Sequence, residues 1–300
     1  MNTPFKFRHY ALPLALFLAA MMLLTRPSHA AAFTPTRFTV VDAGTAGKPD
    51  VILIPGLNSS RSVWDAEAKL LAPNYRLHLL QVNGFAGQPA GANAGDRPLL
   101  VPIVNELHAF LTAGKMHPVV VGHSLGGMLA LMLADKYPAD VQKLVIVDSF
   151  PTAALMLGPG MTPAKIAAQV PMIRQQYSAL PEDQYKAMQP LMAARLVKNA
   201  DAQKTVAEWS IASDRTVGVN ALIEDMTTDV TTDLQKMTVP TLMLYPLETP
   251  TQKADEVDAL YHDAYKTMPN VTLKRMDDSR HFIMYDQPAA FDAALQAFLK

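Results

Sequence analysis

A serine enclosed by glycines stands where an apolar run ends, in the stretch VVVGHSLGGM at residues 119–128. The order Gly122-x-Ser124-x-Gly126 places small residues two positions on either side of the hydroxyl. A turn that needs such neighbours strains the serine backbone and holds the hydroxyl above the end of a strand. We predict that Ser124 is a nucleophile; the alternative is a serine that only caps the next helix. A serine hydroxyl is weak alone, so a base, an acid and oxyanion donors are also required.

The candidate base is His281, in the polar stretch DDSRHFIMYDQP that follows the last predicted strand. The carboxyl ends of parallel strands meet at one edge of a sheet, so a loop there lies within reach of Ser124. An imidazole can take a proton near neutral pH and return it to a leaving group. The alternative is a loop histidine that caps the helix beginning near Pro288. His123 adjoins the serine, but neighbours on a tight turn point in different directions, so we predict a packing role for it.

Two backbone amides are candidates for the oxyanion site. The Leu125 amide directly follows the nucleophile and opens a predicted helix, whose dipole favours developing negative charge. The second candidate is the Leu57 amide, because Gly56 lets the chain turn after the strand VILIPG. Taken alone, the Pro55-Gly56 pair is equally typical of an ordinary turn.

A scaffold that brings strand ends together is predicted by the order of elements. Apolar runs typical of buried strands alternate with segments of helical period. The predicted strands span residues 38–41, 50–56, 75–82, 117–122, 143–148, 239–246 and 271–276. The predicted helices span residues 62–72, 102–113, 126–136, 254–267 and 288–300. This alternation predicts an α/β fold, with a mostly parallel sheet and helices on both of its faces.

The alternation stops between Phe150 and Met237, where the chain is helical in character and rich in methionine and proline. We therefore predict one α/β core in two parts, residues 31–149 and 238–300, with a helical cap at residues 150–237. Methionines at helical spacing fill a core or line a pocket for apolar acyl groups. A Gly/Ala-rich loop at residues 83–96 is expected to border the mouth of that pocket.

The first thirty residues differ from the rest of the chain. Basic residues precede the apolar run ALPLALFLAAMMLL, and the segment closes on Ser28-His29-Ala30, a pattern typical of a secretory signal cut after Ala30. An uncleaved anchor is the alternative, although fourteen apolar residues fall short of the roughly 20 needed to span a bilayer. We expect an exported protein, periplasmic or secreted, with no stable membrane span after cleavage.

Composition narrows the chemistry further. The formal net charge is −1, without blocks of like charge, which argues against nucleic acid and favours a small-molecule partner. The absence of cysteine excludes a thiol nucleophile and a disulfide framework. No metal site or cofactor motif is visible in the sequence, and the predicted chemistry needs neither.

Together these residues resemble the α/β-hydrolase fold superfamily. The resemblance runs from about Phe38 to the C-terminus and rests on ILIPGLNSSRSVWD, VVVGHSLGGMLALMLADKYP, KLVIVDS, VPTLMLYPLE and RHFIMYDQP. It implies the chain order nucleophile, acid, histidine, and oxyanion amides at Leu57 and Leu125. It also implies that the helical cap, inserted after the sixth strand of the fold, covers the pocket.

The acid is where this chain departs from the superfamily pattern. Members usually end the seventh strand with Gly-x-x-Asp, whereas this chain has YPLETP, with Thr249 at the aspartate position. Glu248 is the first choice, because its extra methylene offsets a small backbone displacement. Asp148, at the end of the preceding strand, is the rival. Asp277 and Asp278 are too close in sequence to His281 to orient its far nitrogen.

A serine, a histidine and an acid in this order predict a carboxylic ester hydrolase that works through an acyl-enzyme and acts on an acyl substrate of apolar character. A lactonase, an amidase or peptidase, a lipase proper, a carbon-carbon bond hydrolase and a perhydrolase remain open on the same triad, because fold does not choose among them. An aminopeptidase would need cap acids to hold a free amine, and the candidates are Glu182, Asp183, Glu224 and Asp225; the alternative for these charged residues is a solvated surface. The alternative of another class is a non-catalytic ligand-binding protein on the same scaffold.

Overall fold

The computed structural model describes Met1 and residues 33–158 and 160–300. The predicted signal segment, residues 1–30, therefore lies outside the described residues except for Met1. In the described part, seven strands form one sheet in the order β1-β3-β2-β4-β5-β6-β7, and only β1 runs antiparallel to its neighbour. The strands are β1 Phe38–Gly44, β2 Asp50–Ile54, β3 Arg76–Val82, β4 Val119–His123, β5 Lys143–Val147, β6 Thr241–Leu247 and β7 Val271–Asp277.

The central strands are almost continuous runs of buried Val, Ile and Leu, which is what a parallel sheet covered on both faces requires. The ten α-helices of the described residues are α1 Asp65–Leu71, α2 Leu100–Gly114, α3 Leu125–Lys136, α4 Pro163–Ala179, α5 Glu182–Leu196, α6 Ala200–Ala212, α7 Arg215–Thr227, α8 Ala254–Tyr265, α9 Ile283–Asp286 and α10 Pro288–Leu299. Helices α2, α3 and α8 cover one face of the sheet, and α1 and α10 cover the other. The predicted α/β-hydrolase architecture is confirmed.

Four helices, α4 to α7, lie between β5 and β6, and residues 150–237 are called the helical insertion below. It follows the fifth strand of the described sheet, not a sixth as the resemblance implied. A count of six assumes two strands before β2, and the described residues form only β1 there. Among the residues that the structure describes, no helix combines the length and apolar character needed to cross a bilayer.

Candidate active site

Ser124 occupies the sharp turn between β4 and α3. Its backbone has φ 55° and ψ −122°, a region that residues with a side chain rarely adopt, and its N–H donates to the Val147 carbonyl at 2.9 Å. A Cβ on Gly122 would collide with the backbone of Gly126, and a Cβ on Gly126 would collide with the carbonyl of Ile54. The glycines are therefore needed because the backbones of two strands and one helix meet at the serine.

The loop after β2 packs directly against this turn. A Cβ on Gly56 would lie 3.1 Å from the Ser124 Cβ, so the chain segment that carries Leu57 runs beside the serine. Neither the Leu57 nor the Leu125 backbone N–H donates to an acceptor within the described residues. The Leu125 amide is also at the N-terminus of α3, where helix geometry leaves amides unpaired. Both predicted oxyanion donors are thus unpaired amides next to the serine.

His281 lies on the loop between β7 and α9, and its Nδ1 is 2.6 Å from Oδ2 of Asp148. Asp148 directly follows β5, and its N–H donates to the Leu244 carbonyl of β6 at 2.8 Å. The Tyr261 hydroxyl donates to the second oxygen, Oδ1, of the same carboxylate. Asp148 is therefore fixed from both sides, whereas the Nε2 of His281 has no hydrogen-bond partner within the described residues, the Ser124 Oγ included.

The structure does not bring Glu248, the first choice for the acid, to His281. Its Oε1 instead accepts from Arg280 Nε at 2.8 Å, and also from Arg280 Nη2. Arg280 precedes His281 in the chain, so Glu248 lies close to the loop but binds the neighbouring cation, which offers a fork of donors to a carboxylate. The choice of Glu248 is corrected: the rival, Asp148, is the carboxylate on the histidine. Asp277 and Asp278 bind Arg275 and Lys198, respectively.

Arg280 also fastens the histidine loop to the helical insertion, at the junction of α5 and α6. Its Nη1 donates to the Ala194 carbonyl, and the Phe282 N–H donates to the Leu196 carbonyl at 3.0 Å. Asp286 accepts from the Lys198 N–H at 2.8 Å and from the Arg280 N–H at 2.9 Å. These bonds tie the loop that carries His281 to residues 194–199.

His123 is fully buried and packs between the serine turn and the histidine loop, as the sequence predicted. The structure adds a polar contact: the His123 Nε2 lies 3.0 Å from the carbonyl oxygen of His281. A carbonyl can only accept, so Nε2 carries the proton. Burial lowers the pKa of His123 well below its usual range, and the charge of His281 lowers this pKa further. His123 is therefore a neutral donor that holds the main chain of His281.

The last helix of the insertion, α7, reaches into the same region. A Cβ on Gly218 would lie 2.6 Å from the Oδ1 of Asn58, the residue after Leu57. Burial raises the pKa of Asp225, near the end of α7, to about 6, and the charge of His281 acts in the opposite direction. The described residues contain no group of three or more His, Cys, Asp or Glu side chains that could hold a metal ion.

Three features of the site were not found from the sequence. They are the Tyr261 hydroxyl on Asp148, the bond from His123 to the main chain of His281, and the Arg280 ties to the insertion. The sequence did contain a signal for the role of Arg280: a cation directly before His281 can compete with the histidine for a nearby carboxylate. Tyr261 gave none, because only the packing of α8 against β6, where Tyr261 stacks on Tyr245, brings its hydroxyl to Asp148.

Comparisons with known proteins agree with this architecture. A family model described as the alpha/beta hydrolase family matches residues 51–294. The chain is 28% identical over 263 residues to the pimeloyl-[acyl-carrier protein] methyl ester esterase of Pectobacterium atrosepticum, a match that covers 84% of this chain and 95% of that enzyme.

Solved structures share the fold at lower sequence identity. An esterase from Exiguobacterium antarcticum superposes with a TM-score of 0.69 at 17% identity and covers 87% of this chain and 95% of its own. The enol-lactonase from Burkholderia xenovorans gives a TM-score of 0.70 at 14% identity, covering 90% of this chain and 98% of its own. The names of these relatives agree with the prediction of a hydrolase of the carboxylesterase type, and the chain belongs to the alpha/beta hydrolase family.

Proposed function

We propose that Ser124, His281 and Asp148 form a catalytic triad that hydrolyses a carboxylic ester through an acyl-enzyme. The observation that carries the proposal is the 2.6 Å contact between His281 Nδ1 and Asp148 at the sheet edge where the strained serine turn lies. The bond from His123, the neighbour of Ser124, to the main chain of His281 supports the placement of the base beside the serine.

In this mechanism the Ser124 Oγ attacks the carbonyl carbon of the ester, and its proton passes to His281 Nε2. Asp148 accepts from Nδ1–H, which fixes the tautomer and stabilises the imidazolium that forms. The Leu57 and Leu125 amides donate to the oxyanion of the tetrahedral intermediate. The intermediate collapses to an acyl-serine, and the departing alcohol takes the proton from Nε2.

Water completes the cycle. His281 removes a proton from water, the hydroxide attacks the acyl carbon, and the second tetrahedral intermediate collapses to a carboxylic acid. The proton returns to the Ser124 Oγ, so the enzyme is regenerated with no net change in charge. The named activity of the Pectobacterium relative, a methyl ester esterase, favours an ester over an amide as the substrate.

The helical insertion is proposed to cover the acyl pocket, and the substrate to be a small ester with an apolar acyl part. Contacts of the insertion with the Asn58 loop and with the histidine loop support this placement. We further propose that residues 1–30 direct export and are removed. A mature N-terminus at residue 31 in the mass of the exported protein is the expected result; an intact N-terminus would contradict removal.

The deciding experiment is labelling with a fluorophosphonate probe, followed by peptide mapping. Covalent labelling at Ser124, lost in Ser124→Ala, is expected because phosphonylation needs an activated serine. A folded protein that is not labelled and does not turn over p-nitrophenyl acyl esters would contradict the proposal and favour a non-catalytic binding protein.

A further inference from the structure

The carboxylate of Asp148 receives two hydrogen bonds from the residues that the structure describes. Its Oδ2 lies 2.6 Å from the Nδ1 of His281, and its Oδ1 accepts from the Tyr261 hydroxyl. The Asp148 side chain is only 11% exposed, so water has little access to the remaining lone pairs. A carboxylate in such a place depends on the donors that the protein supplies. The Tyr261 hydroxyl is one of those two donors.

Tyr261 is itself held in place. Its side chain is buried in the core, and its ring stacks on the rings of Phe150 and Tyr245, each at a centroid distance of 4.5 Å. The Tyr245 hydroxyl donates to Asp258 of α8 at 2.9 Å, which fastens that ring to the helix that carries Tyr261. Burial raises the pKa of Tyr261 well above its usual range, and the charge of Asp148 raises this pKa further. The hydroxyl therefore stays protonated at neutral pH and remains a donor.

The main chain of Asp148 fixes the Cα but not the direction of the carboxylate. Its φ of 44° lies in the left-handed region, and its N–H donates to the Leu244 carbonyl at 2.8 Å. The torsion that turns an aspartate carboxylate is broad, so the main chain alone leaves several orientations open. The bond from Tyr261 to Oδ1 selects the orientation in which Oδ2 faces His281. A side chain of α8 thus determines how the acid meets the histidine.

We infer that Tyr261 is a positioning residue of the proposed triad, whose hydroxyl fixes the plane of the Asp148 carboxylate and thereby the placement of His281. This inference rests on the proposed ester hydrolysis and adds a fourth side chain to it. In this role Tyr261 does not contact the substrate and acts only through Asp148. Its loss should therefore lower kcat and leave KM nearly unchanged.

Tyr261→Phe removes the hydroxyl and keeps the stacked ring. The value of kcat for a p-nitrophenyl acyl ester should fall by about 10-fold or more, with KM within about 2-fold of wild type, because a charge-assisted hydrogen bond to the acid is lost. Steady-state kinetics measures both constants, and circular dichroism checks that the variant folds.

Tyr265→Phe is the matched control. Tyr265 lies one turn later on α8 and is also buried, but its hydroxyl donates to the main-chain carbonyl of Ser149 at 2.7 Å and not to the carboxylate. This variant should keep kcat within about 3-fold of wild type. Both variants should unfold at a lower urea concentration than wild type, because each leaves a mostly buried acceptor without its donor. A similar loss of stability with a different kcat would separate positioning from support of the fold.

A second comparison adds Tyr261→Phe to Asp148→Asn. In Asp148→Asn, the Tyr261 hydroxyl should hold the amide oxygen, so that the NH₂ group faces the Nδ1 of His281 and fixes the wrong tautomer. Without the hydroxyl, the amide is free to turn its oxygen toward Nδ1–H. The double variant should therefore have a kcat equal to or above that of Asp148→Asn. A residue that only supports the fold would lower kcat in both backgrounds.

The outcomes separate this inference from the proposed function. A kcat of Tyr261→Phe within about 3-fold of wild type would overturn the positioning role and leave the esterase standing. An equal fall of kcat in Tyr265→Phe would overturn it as well, as would a further fall of about 10-fold when Tyr261→Phe is added to Asp148→Asn. Failure of the folded wild-type protein to hydrolyse any p-nitrophenyl acyl ester would instead contradict the proposed function.

Discussion

The core side of the candidate site and the helical insertion differ in how firmly their residues are packed. Helix α3, which follows Ser124, buries nine of its twelve residues, whereas α4 buries only Ile166 among seventeen. The insertion also exposes large apolar side chains on α4 and α5, namely Met172, Met188, Leu191 and Met192. Reacting groups must be held to fractions of an ångström, and close-packed strand ends do this better than a loosely packed layer.

The difference separates two tasks. Ser124 and Asp148 follow β4 and β5 directly, so the sheet fixes them both. His281 lies on a loop that Arg280 and Phe282 fasten to the insertion. A site divided in this way can keep its chemistry while the insertion changes its substrate. The predictions below test that division, beginning with the largest effect.

Asp148→Asn should lower kcat for a p-nitrophenyl acyl ester by about 10³- to 10⁴-fold, because an amide that donates to Nδ1 fixes the wrong imidazole tautomer. Glu248→Gln is the matched variant, since the Glu248 carboxylate has Arg280 as its one partner among the described residues. It should keep kcat within about 10-fold. A larger loss in Glu248→Gln than in Asp148→Asn would reverse the assignment of the acid.

Gly126→Ala should destabilise the fold by about 3 kcal/mol or more, because the added methyl would meet the Ile54 carbonyl inside close-packed backbone. Urea unfolding measures this change. Gly114→Ala is the control: the nearest atoms to its methyl would belong to the flexible Met116 side chain, not to backbone, and alanine is the better helix former. Equal losses of stability in the two variants would show that the serine turn has no special packing requirement.

The next prediction concerns Glu67, a buried carboxyl of the core away from the site, whose ionisation should destabilise the fold. Burial, together with the charges of Asp292 and Asp65, raises its pKa from 4.5 to about 8. The native state then binds more protons than the unfolded state between these values, so the free energy of unfolding falls as pH rises from about 4.5 to 8. Glu67→Gln should remove this fall and be more stable than wild type at pH 9, by on the order of a few kcal/mol.

Urea unfolding of both proteins at pH 5 and pH 9 measures the effect. The two should be similar at pH 5, where the wild-type carboxyl is protonated in the native state. Asp183→Asn, at an exposed position, should leave the pH dependence unchanged. The raised pKa would be contradicted if the free energy of unfolding of the wild type rose between pH 5 and pH 9 while that of Glu67→Gln stayed constant.

His123→Phe gives the smallest expected effect. It tests whether the bond from His123 to the main chain of His281 positions that histidine. An aromatic ring is kept, although a larger one, and the N–H to the His281 carbonyl is lost, so kcat should fall by about 10-fold with KM nearly unchanged. A change confined to unfolding stability, with no loss in kcat, would mean that the bond supports the fold without positioning the base.

Local patterns were sufficient for most of the architecture and for part of the site. Strand β4, the glycines around Ser124 and the loop position of His281 follow from apolar runs, steric limits and strand order. The acid could not be chosen in this way, because Asp148 and Glu248 both follow adjacent parallel strands and both approach the same loop. Which of the two contacts His281 depends on tertiary packing, because Arg280 binds Glu248 and the Tyr261 hydroxyl donates to Asp148.

The bonds from Arg280 and Phe282 to residues 194–199 would have a consequence for the proposed catalytic cycle. A swing of the insertion about this junction would carry the His281 main chain with it and separate the base from Asp148. If substrate entered through such a swing, His281 could not transfer a proton while the insertion was open. An entry route that leaves the junction still would let substrate enter with His281 already in place on Asp148.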